Sequence, residues 1–348
     1  MNILVLNSGS SSIKYKLFCK ENMQELKSGI KEEVSDHSEG INRILNKLKE
    51  DNLINDPSEI FCVGHRVVHG GDYFDKPVLV DDEVIEKIDK LSQLAPLHNP
   101  ANLQGIKAVK KVLGDIAQVA VFDTAFHQSI PPYASFYPIP YEYYEKFHIR
   151  KYGFHGTSHE YVALQAAKEL GKDLKDCNLI TLHLGNGASA CAIKDGKSID
   201  TSMGFTPLEG LMMGTRCGDI DGSLVFYLED KLDCTRDEIN TILNKKSGFK
   251  GLCGTSDLRE VIKLSQNGDK HAKLAIDIFV YRIKKYIGSY LMILENVDAI
   301  VLTGGIGEHS ELVQSEIYKS TDKFDLKHII IPTNEELSIA IQAKELCL

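Results

Sequence analysis

The sequence predicts a duplicated α/β fold of two domains, with a nucleotide held between the two similar halves. An apolar strand at residues 3–6 runs into a Gly/Ser turn at residues 7–12 and returns as a second strand. Residues 178–193 repeat this plan around a Gly-Asn-Gly turn, and a third apolar strand at 299–303 again ends in glycines. Such turns carry no large side chains and leave backbone N–H groups available, which is typical of a phosphate site. A Gly/Ser hairpin is also an ordinary connector, and its repetition in both halves favours the phosphate interpretation.

Composition narrows the class of protein. The 348 residues suffice for about two domains. A formal charge of −9 without a Lys/Arg cluster argues against a nucleic-acid partner. The eight cysteines form no Cys-x-x-Cys pair, so we expect buried thiols in a reducing cytoplasm rather than a zinc site or disulfides. No leader or membrane-length apolar run is recognised, and we expect an unexported protein without a membrane partner.

The first half reads as a strand meander followed by alternating helices and strands. The predicted strands cover residues 2–6, 13–19, 25–31, 60–64 and 117–122, and the predicted helices 39–50, 81–94 and 100–113. This order predicts an α/β domain with a mixed sheet rather than a parallel one.

The second half follows a connection at residues 131–152, whose Pro and Tyr content argues against a floppy linker. Its first helix is predicted to begin with a capping box of Thr157 and Glu160. Apolar residues recur at helical spacing over 269–295, which predicts a long helix packed on a core or a partner helix. A helical pattern also follows from about Ser310, and a strand at 329–331 enters a helix where Thr333 and Glu336 fit a second capping box.

Two segments of the first half carry candidate chemistry. Arg66 lies among glycines after a predicted strand, where a guanidinium can grip phosphate or carboxylate with two parallel hydrogen bonds. A surface ion pair is the open alternative. His65 and His69 lack a carboxylate to complete a zinc set. Asp123 ends an apolar strand, where open α/β sheets present functional groups, and capping of the next segment is its alternative role.

The second half offers further cationic and acidic groups. His155, between glycines at a helix entry, is a candidate donor to phosphate, and Arg216 in a Gly-rich loop is expected to point at a ligand. Residues 256–259 begin a helix and serve either as an N-cap or as contacts to a ribose or base. Glu335, left free by the capping box, would suit a magnesium shell.

Nine segments, in order along almost the whole chain, resemble the motifs of the acetate kinase family. They are residues 7–12, 65–71, 96–100, 122–128, 152–159, 183–187, 214–221, 304–308 and 332–336. The resemblance implies the superfamily of acetate and sugar kinases, heat-shock ATPases and actin, with a duplicated ribonuclease-H-like (actin-like ATPase) fold. It further implies two domains around a nucleotide cleft, in a homodimer. The expected domains are residues 1–150 plus the helix 334–348, for acyl and phosphate groups, and residues 151–333, for the nucleotide.

The resemblance also implies reversible phosphoryl transfer from ATP to acetate, giving ADP and acetyl phosphate, with Mg²⁺ or Mn²⁺. Asn7 and Glu335 would serve the metal, and Arg66 the acyl carboxylate or phosphate. Asp123 would be the active-site acid/base, and His155 and Arg216 would stabilise the transition state. The remaining implied residues bind the nucleotide, and they are Lys14, His183, Leu184, Gly185, Asn186, Gly187, Asp257, Leu258, Arg259, Gly304, Gly305, Ile306, Gly307 and Glu308.

Acid–base chemistry gives Asp123 a different role. Acetate, like a Glu side chain with a pKa of about 4.3, is already ionised at neutral pH and has no proton for a base to remove. We therefore expect Asp123 to orient Arg66 or a magnesium-bound water. In-line positioning and charge neutralisation would supply most of the catalysis.

Several positions depart from the family pattern. The segments between Leu17 and His65 and between Glu308 and Pro332 are shorter than usual, and His309 and Gly222 replace a common asparagine and proline. Two alternatives therefore stay open. One is a kinase of propionate or another short-chain fatty acid, since one methylene changes binding by only about 1–3 kcal/mol. The other is a catalytically impaired nucleotide-binding protein of the same fold.

Overall fold

The computed structural model describes all residues from Met1 to Leu348, which form two compact units. Unit 1 comprises residues 1–128, 156–161 and 334–348, and unit 2 comprises residues 129–155 and 162–333. Residues 129–150 therefore group with unit 2, and residues 334–348 with unit 1.

The chain forms eleven strands and fourteen α-helices. The strands are β1 (Asn2–Ser8), β2 (Ile13–Cys19), β3 (Glu25–Lys31), β4 (Ile60–Val67), β5 (Val78–Leu79), β6 (Ala117–Phe122), β7 (Leu179–Leu184), β8 (Ala188–Lys194), β9 (Lys197–Thr201), β10 (Ala299–Thr303) and β11 (Lys327–Ile330). The helices are α1 (His37–Glu50), α2 (Asp82–Lys90), α3 (Asn99–Leu113), α4 (Pro132–Ser135), α5 (Glu142–Phe147), α6 (Gly156–Leu170), α7 (Ser223–Leu232), α8 (Arg236–Lys245), α9 (Gly248–Cys253), α10 (Leu258–Gln266), α11 (Lys270–Leu294), α12 (Gly304–His309), α13 (Glu311–Thr321) and α14 (Glu335–Leu346).

Unit 1 is built on a six-stranded mixed sheet in the order β3-β2-β1-β4-β6-β5. Strand β1 alternates between two cores, as a strand buried on both faces must. Leu4 and Leu6 pack with residues of α1 and α3, whereas Ile3 and Val5 pack with residues of α14. Gly64 on β4 permits the close approach of α14, since a Cβ there would lie 2.7 Å from Cγ2 of Ile339.

Unit 2 repeats the plan with the strand order β11-β10-β7-β8-β9. In both units a three-stranded antiparallel meander continues into two parallel strands on the side of its first strand. Strand β9, which the sequence analysis does not include, completes the second meander. The predicted duplicated α/β fold with mixed sheets is confirmed.

Most predicted elements lie within a few residues of their observed positions. Asp269 caps α11, whose buried side chains recur at the expected helical spacing. Strand β4 extends three residues beyond its predicted end and so includes Arg66. The glycines after β10 form a helical turn, α12, that precedes the helix expected near Ser310.

Both predicted capping boxes are wrong, because tertiary contacts engage their side chains. Helix α6 begins after His155 without a side-chain cap, Thr157 donates to the carboxylate of Asp123, and Glu160 accepts from Gln342. Helix α14 is capped by Asn334, whose side chain accepts from the amide of Leu337. Glu336 forms an ion pair with Lys16 on β2 instead.

The aromatic connection is ordered by its own ring contacts. The rings of Phe136 and Tyr144 lie 4.1 Å apart, and the Tyr137 hydroxyl accepts from the amide of Phe205 at 2.8 Å. No helix in the chain combines the length and apolar character needed to cross a membrane.

Candidate active site

Three of the predicted site residues of unit 1 lie at one edge of its sheet. The parallel strands β1, β4 and β6 end at this edge, with Leu6 in register with His65 and Val67 with Phe122. The residues that follow these pairs are Asn7, Arg66 and Asp123. Carboxyl ends of parallel strands are where α/β sheets place their ligands, so the fold brings these three predicted residues to one place.

Arg66 is held by two carboxylates. Its Nε donates to Asp123 Oδ1 at 3.0 Å and its Nη2 to Asp123 Oδ2 at 2.6 Å, in a bidentate pair. Glu335, the first residue of α14, lies 3.4 Å from the same Nη2. Glu335 is predicted to be free at the start of this helix, and this prediction is wrong, because its carboxylate is paired with Arg66. The bidentate pair matches the expectation that Asp123 orients Arg66.

The electrostatics of this cluster favour a charged arginine. Burial alone would lower the pKa of Arg66, but the charges of Asp123 and Glu335 outweigh it and raise that pKa above its ordinary value. Burial raises the pKa of Asp123, Arg66 opposes this, and Glu335 adds to it. Two carboxylates thus share one guanidinium, and ionisation of both leaves one excess negative charge.

Two asparagines of α3 hold the loop after β4, and sequence reasoning did not find them. The Asn102 side chain accepts from the Val68 amide at 3.1 Å and donates to the Ser8 carbonyl at 2.8 Å, so it ties β4 to β1. Asn99 exchanges two hydrogen bonds with the backbone of His69. Two asparagines three residues apart on the buried face of an amphipathic helix are the signal that could have revealed them.

The start of α14 is fixed by a lysine that the sequence analysis also missed. Nζ of Lys16 lies 3.3 Å from both Glu336 Oε2 and Asn334 Oδ1, and 3.2 Å from Glu25. Because Asn334 and Glu336 flank Glu335, Lys16 helps hold the carboxylate that contacts Arg66. The neighbouring Lys14 is exposed, and it pairs in register with Asn7 across the first hairpin.

The first Gly/Ser turn is closed by one backbone hydrogen bond, from the Gly9 amide to the Ser12 carbonyl at 2.8 Å. Ser10 and Ser11 are exposed at its tip. The second turn is tighter, with a 3.0 Å bond from the Gly185 amide to the Gly187 carbonyl. Both turns therefore present small residues at the surface, as a phosphate cradle requires.

The nucleotide residues predicted in unit 2 meet at the edge of its sheet. Thr303 at the end of β10 is in register with His183 on β7, so the two glycine segments emerge side by side. Gly304 has φ +76°, and a Cβ there would lie 2.7 Å from the Leu184 carbonyl, so only glycine fits. The Glu308 carboxylate accepts from the Gly304 amide at 2.9 Å and from the Thr333 amide at 3.2 Å. Glu308 is therefore engaged with the backbone of this loop.

A cavity of about 530 Å³ lies beside these segments in unit 2. Its lining includes seven of the predicted nucleotide residues, namely Gly185, Asn186, Asp257, Leu258, Arg259, Gly305 and Ile306. His309 and Ser310 also line it. Asp257 caps α10 through the Arg259 amide and binds the Arg259 side chain at 2.6 Å, so the N-cap alternative is correct for Asp257. A site of this size with convergent polar groups is typical for a small ligand.

His155 and Arg216 converge beside the second glycine turn. A Cβ on Gly187 would lie 3.5 Å from His155 Cε1 and 3.6 Å from Arg216 Nη1. Arg216 Nη1 donates to the Pro207 carbonyl at 3.2 Å, no carboxylate lies within 4.0 Å of it in the chain, and burial lowers its pKa. A half-buried cation without an acidic partner is suited to receive an anion.

The remaining candidate histidines of unit 1 have structural contacts. His65 Nε2 lies 2.8 Å from Gln118 Oε1, and His69 Nδ1 accepts from the Gly71 amide at 3.0 Å. Burial lowers the pKa of each to about 4. No group of three or more His, Cys, Asp or Glu side chains is arranged to hold a metal ion.

Known proteins match the chain over nearly all its length. The profile of the Acetokinase family matches residues 21–328. An acetate kinase of Sulfurovum sp. (strain NBC37-1) is 47% identical over 391 aligned residues, which cover 99% of this chain and 98% of that protein. The crystal structure of Porphyromonas gingivalis acetate kinase superposes with a TM-score of 0.94 at 39% identity, covering 99% of each chain. A propionate kinase from Francisella tularensis subsp. tularensis SCHU S4 gives a TM-score of 0.92 at 42% identity, covering 98% of each.

The alignment with the Sulfurovum protein is longer than the 348 residues of this chain, so it carries gaps here. Asn7, Lys14 and Glu335 lie outside the residues that the profile matches. The alignments with full-length relatives cover 99% of the chain and so reach both of its ends. The chain therefore retains both ends of the family fold while lacking residues in between.

Proposed function

The chain belongs to the acetokinase family, and on that premise we propose that it is an acetate kinase, which reversibly transfers the γ-phosphoryl group of ATP to acetate. An acetate oxygen attacks the γ-phosphorus, the bond to the β–γ bridging oxygen breaks, and ADP and acetyl phosphate form. The observation that carries this proposal is the pairing of Arg66 with Asp123 and Glu335, because a protein that only bound nucleotide would not need it.

The acceptor is assigned to unit 1. The guanidinium of Arg66, aligned by Asp123, would receive the carboxylate of acetate or the oxygens of acetyl phosphate. Because acetate is ionised at neutral pH, Asp123 has no proton to abstract and acts by positioning Arg66. Its bidentate bond to Arg66 supports this role.

The donor is assigned to unit 2. The nucleotide would occupy the cavity between the Gly185–Gly187 turn, α10 and α12, with its phosphates against the glycine backbone. His155 and Arg216 would neutralise the charge that develops on the equatorial oxygens of the transferring group. Their convergence beside Gly187 supports this assignment.

The donor set of unit 1 fits a magnesium ion. Asn7 offers an amide oxygen, and Asp123 and Glu335 together carry one more negative charge than Arg66 neutralises. Mg²⁺ prefers such oxygen ligands, and Mn²⁺ accepts the same set. When bound with the nucleotide, the ion would neutralise charge on the phosphate oxygens. We assign Asn7 and Glu335 to hold it.

Propionate is the alternative acceptor. A propionate kinase superposes on the chain about as well as an acetate kinase does. One additional methylene alters binding by only about 1–3 kcal/mol, so the fold does not discriminate between these acids.

A hydroxamate-trapping assay tests the function. The protein is incubated with ATP, Mg²⁺, hydroxylamine and acetate, propionate or butyrate, and kcat/KM is compared among the acids. We expect the highest value with acetate. A higher value with propionate would transfer the assignment to propionate, and no product from any acid, with ATP binding retained in calorimetry, would leave a nucleotide-binding protein.

We also propose that the protein acts as a homodimer in the cytoplasm. Large apolar side chains are exposed on α7 and α11, with Phe226, Tyr281 and Met292 each more than 60% exposed. Pairing of this surface with a second copy would bury them. None of the eight cysteines forms a disulfide, in keeping with a reducing compartment. Light scattering after size-exclusion chromatography, on the protein and on Phe226→Lys, would test the dimer.

A further inference from the structure

Helix α14 lies lengthwise along strand β4 in unit 1, and the contacts between them follow a regular spacing. At one end, Glu335 lies 3.4 Å from Nη2 of Arg66. Further along, a Cβ on Gly64 would lie 2.7 Å from Cγ2 of Ile339 and 3.5 Å from Cβ of Ala343. Residue numbers thus rise along the helix while they fall along the strand, so the two elements run in opposite directions.

The next step of this spacing brings two cysteines together. Side chains share one face of a strand every two residues and one face of a helix about every four, which is roughly 6–7 Å in both cases. Two residues before Gly64 on β4 is Cys62, and four residues after Ala343 is Cys347, the C-cap of α14. Cys62 is fully buried in the core that contains Ile339, and Cys347 packs against the same core. The two thiols form a hydrogen bond with each other.

The surroundings of the two thiols give them different reactivity. Burial raises the pKa of both. For Cys347 the hydrogen bond with Cys62 and the positive charge of Lys20 oppose this rise, whereas for Cys62 the contact with Cys347 adds to it. Cys347 is also only half-buried, while Cys62 has no exposed surface. Because oxidants attack accessible thiolates, Cys347 is the thiol that reacts first and Cys62 the one that follows.

We propose that Cys62 and Cys347 are a site of reversible oxidation, which hydrogen peroxide converts to a disulfide. The Cys347 thiolate attacks a peroxide oxygen, the O–O bond breaks, and a sulfenic acid and hydroxide form. The Cys62 sulfur then attacks the Cys347 sulfur, the S–O bond breaks, and the departing hydroxyl group leaves as water with the proton of Cys62. The hydroxide takes up the proton that Cys347 released, so two thiols and one peroxide give one disulfide and two waters. A thiol such as glutathione reverses the reaction by exchange.

The disulfide would fasten the end of α14 to β4. Helix ends open locally more easily than core strands, and a covalent bond restricts that opening. Helix α14 covers Ile3 and Val5 of β1 and begins with Glu335. The oxidised protein would therefore keep this helix closed on its core. The cross-link depends on the packing of unit 1 alone, so it stands or falls separately from the proposed phosphoryl transfer.

Peptide mapping is the direct test. The full-length protein is treated with hydrogen peroxide at pH 7.5, its remaining thiols are alkylated, and a tryptic digest is analysed by mass spectrometry. We expect a linked pair of peptides that contain Cys62 and Cys347, and its loss after treatment with glutathione. Alkylation of both residues after treatment, a bond from Cys347 to another cysteine, or a sulfinic acid at Cys347 without the linked pair would each overturn the proposal.

Hydrogen exchange tests the effect on α14, with Cys347→Ser as the variant and Cys19→Ser as its matched control. Cys19 is another half-buried thiol of unit 1, at the end of β2, where it donates to Glu21. We expect peroxide to slow exchange of the amides at residues 344–347 about tenfold in the wild type and in Cys19→Ser, but not in Cys347→Ser. Equal slowing in Cys347→Ser, or no slowing in a wild type that carries the linked peptides, would refute the fastening of α14.

Cys347→Ala removes the thiol without adding a hydroxyl group, and it decides the case if Cys347→Ser does not fold. We expect the same lack of response to peroxide in this variant. A response equal to that of the wild type would show that the thiol of Cys347 is not the site of oxidation.

Discussion

Arg66 in unit 1 and Arg216 in unit 2 are both partly buried, yet their surroundings are opposite. Arg66 contacts the carboxylates of Asp123 at 2.6 Å and Glu335 at 3.4 Å. Arg216 has no carboxylate within 4.0 Å and donates to the Pro207 carbonyl instead. The pKa of Arg66 is raised by its acidic partners, whereas burial lowers that of Arg216.

These surroundings indicate two different roles for a partly buried arginine. An arginine with two acidic partners is fixed in orientation and its charge is compensated before any ligand arrives. An arginine without one keeps an uncompensated charge that a highly charged transition state can satisfy. We expect Arg66 to stabilise unit 1 as well as to bind the acceptor, and Arg216 to act in catalysis without contributing to stability.

The largest expected effect is on turnover in Arg216→Gln. Loss of this cation should lower kcat about 10³-fold, since charge stabilisation of the transition state is removed. The free energy of unfolding should stay within about 0.5 kcal/mol, because no buried carboxylate is left unpaired. Steady-state kinetics and urea unfolding measure both, with the exposed Arg43→Gln as control. A strong loss of stability in Arg216→Gln would show that Arg216, like Arg66, stabilises the fold.

Arg66→Gln should instead destabilise the fold. It leaves the buried Asp123 and the half-buried Glu335 without a counter-charge, which costs about 3–5 kcal/mol. The double variant Arg66→Gln/Asp123→Asn should recover part of this loss, because one orphaned charge is removed. Urea unfolding of the three proteins measures it. Equal stabilities of Arg66→Gln and Arg216→Gln would show that the two arginines do not differ in their contribution to the stability of the fold.

Asp123→Asn keeps the shape of the side chain and removes its charge. We expect kcat to fall about 10²-fold because Arg66 is no longer aligned. A normal rate in this variant would reject any need for the carboxylate.

The stability of unit 1 should depend on pH through a buried histidine, His65. The pKa of His65 is about 4 in the fold against 6.5 in the unfolded chain. Between these values the unfolded state binds more protons, so stability falls as pH is lowered from 6.5 to 4, by up to about 1.4 kcal/mol per pH unit. His65→Gln should show a shallower loss in urea unfolding from pH 7 to 5. An unchanged slope would assign the loss to other groups.

The smallest effect concerns Lys16. Lys16→Met should loosen the first turn of α14, so the amides of Glu335 to Leu337 should exchange hydrogen faster and the Mg²⁺ concentration for half-maximal rate should rise several-fold. Lys27 lies on the adjacent strand β3, and Lys27→Met, which breaks an ion pair with Asp51 at the end of α1, is the matched control. Equal exchange rates in both variants would show that Lys16 does not hold Glu335.

Local patterns predicted the elements and the edges where the candidate residues meet. The apolar strand before Asp123 and the glycines after β7 and β10 were sufficient, because backbone preferences act over a few residues. The same reasoning failed for Thr157 and Glu336, which fit a capping motif but bind Asp123 and Lys16 in the folded chain. Contacts between residues distant in sequence override such motifs, and they also hid the role of Asn102.

The packing of α14 on the sheet of unit 1 has a consequence for synthesis of the protein. Ile339, Ala340 and Ala343 complete the core that contains Ile3 and Val5. This core therefore cannot form until residues more than 330 positions after its first strand have been synthesised. At about 5–20 residues per second, that apolar face stays uncovered on the ribosome for roughly 20–70 s. Until translation reaches α14, this apolar face of nascent unit 1 is therefore exposed to aggregation.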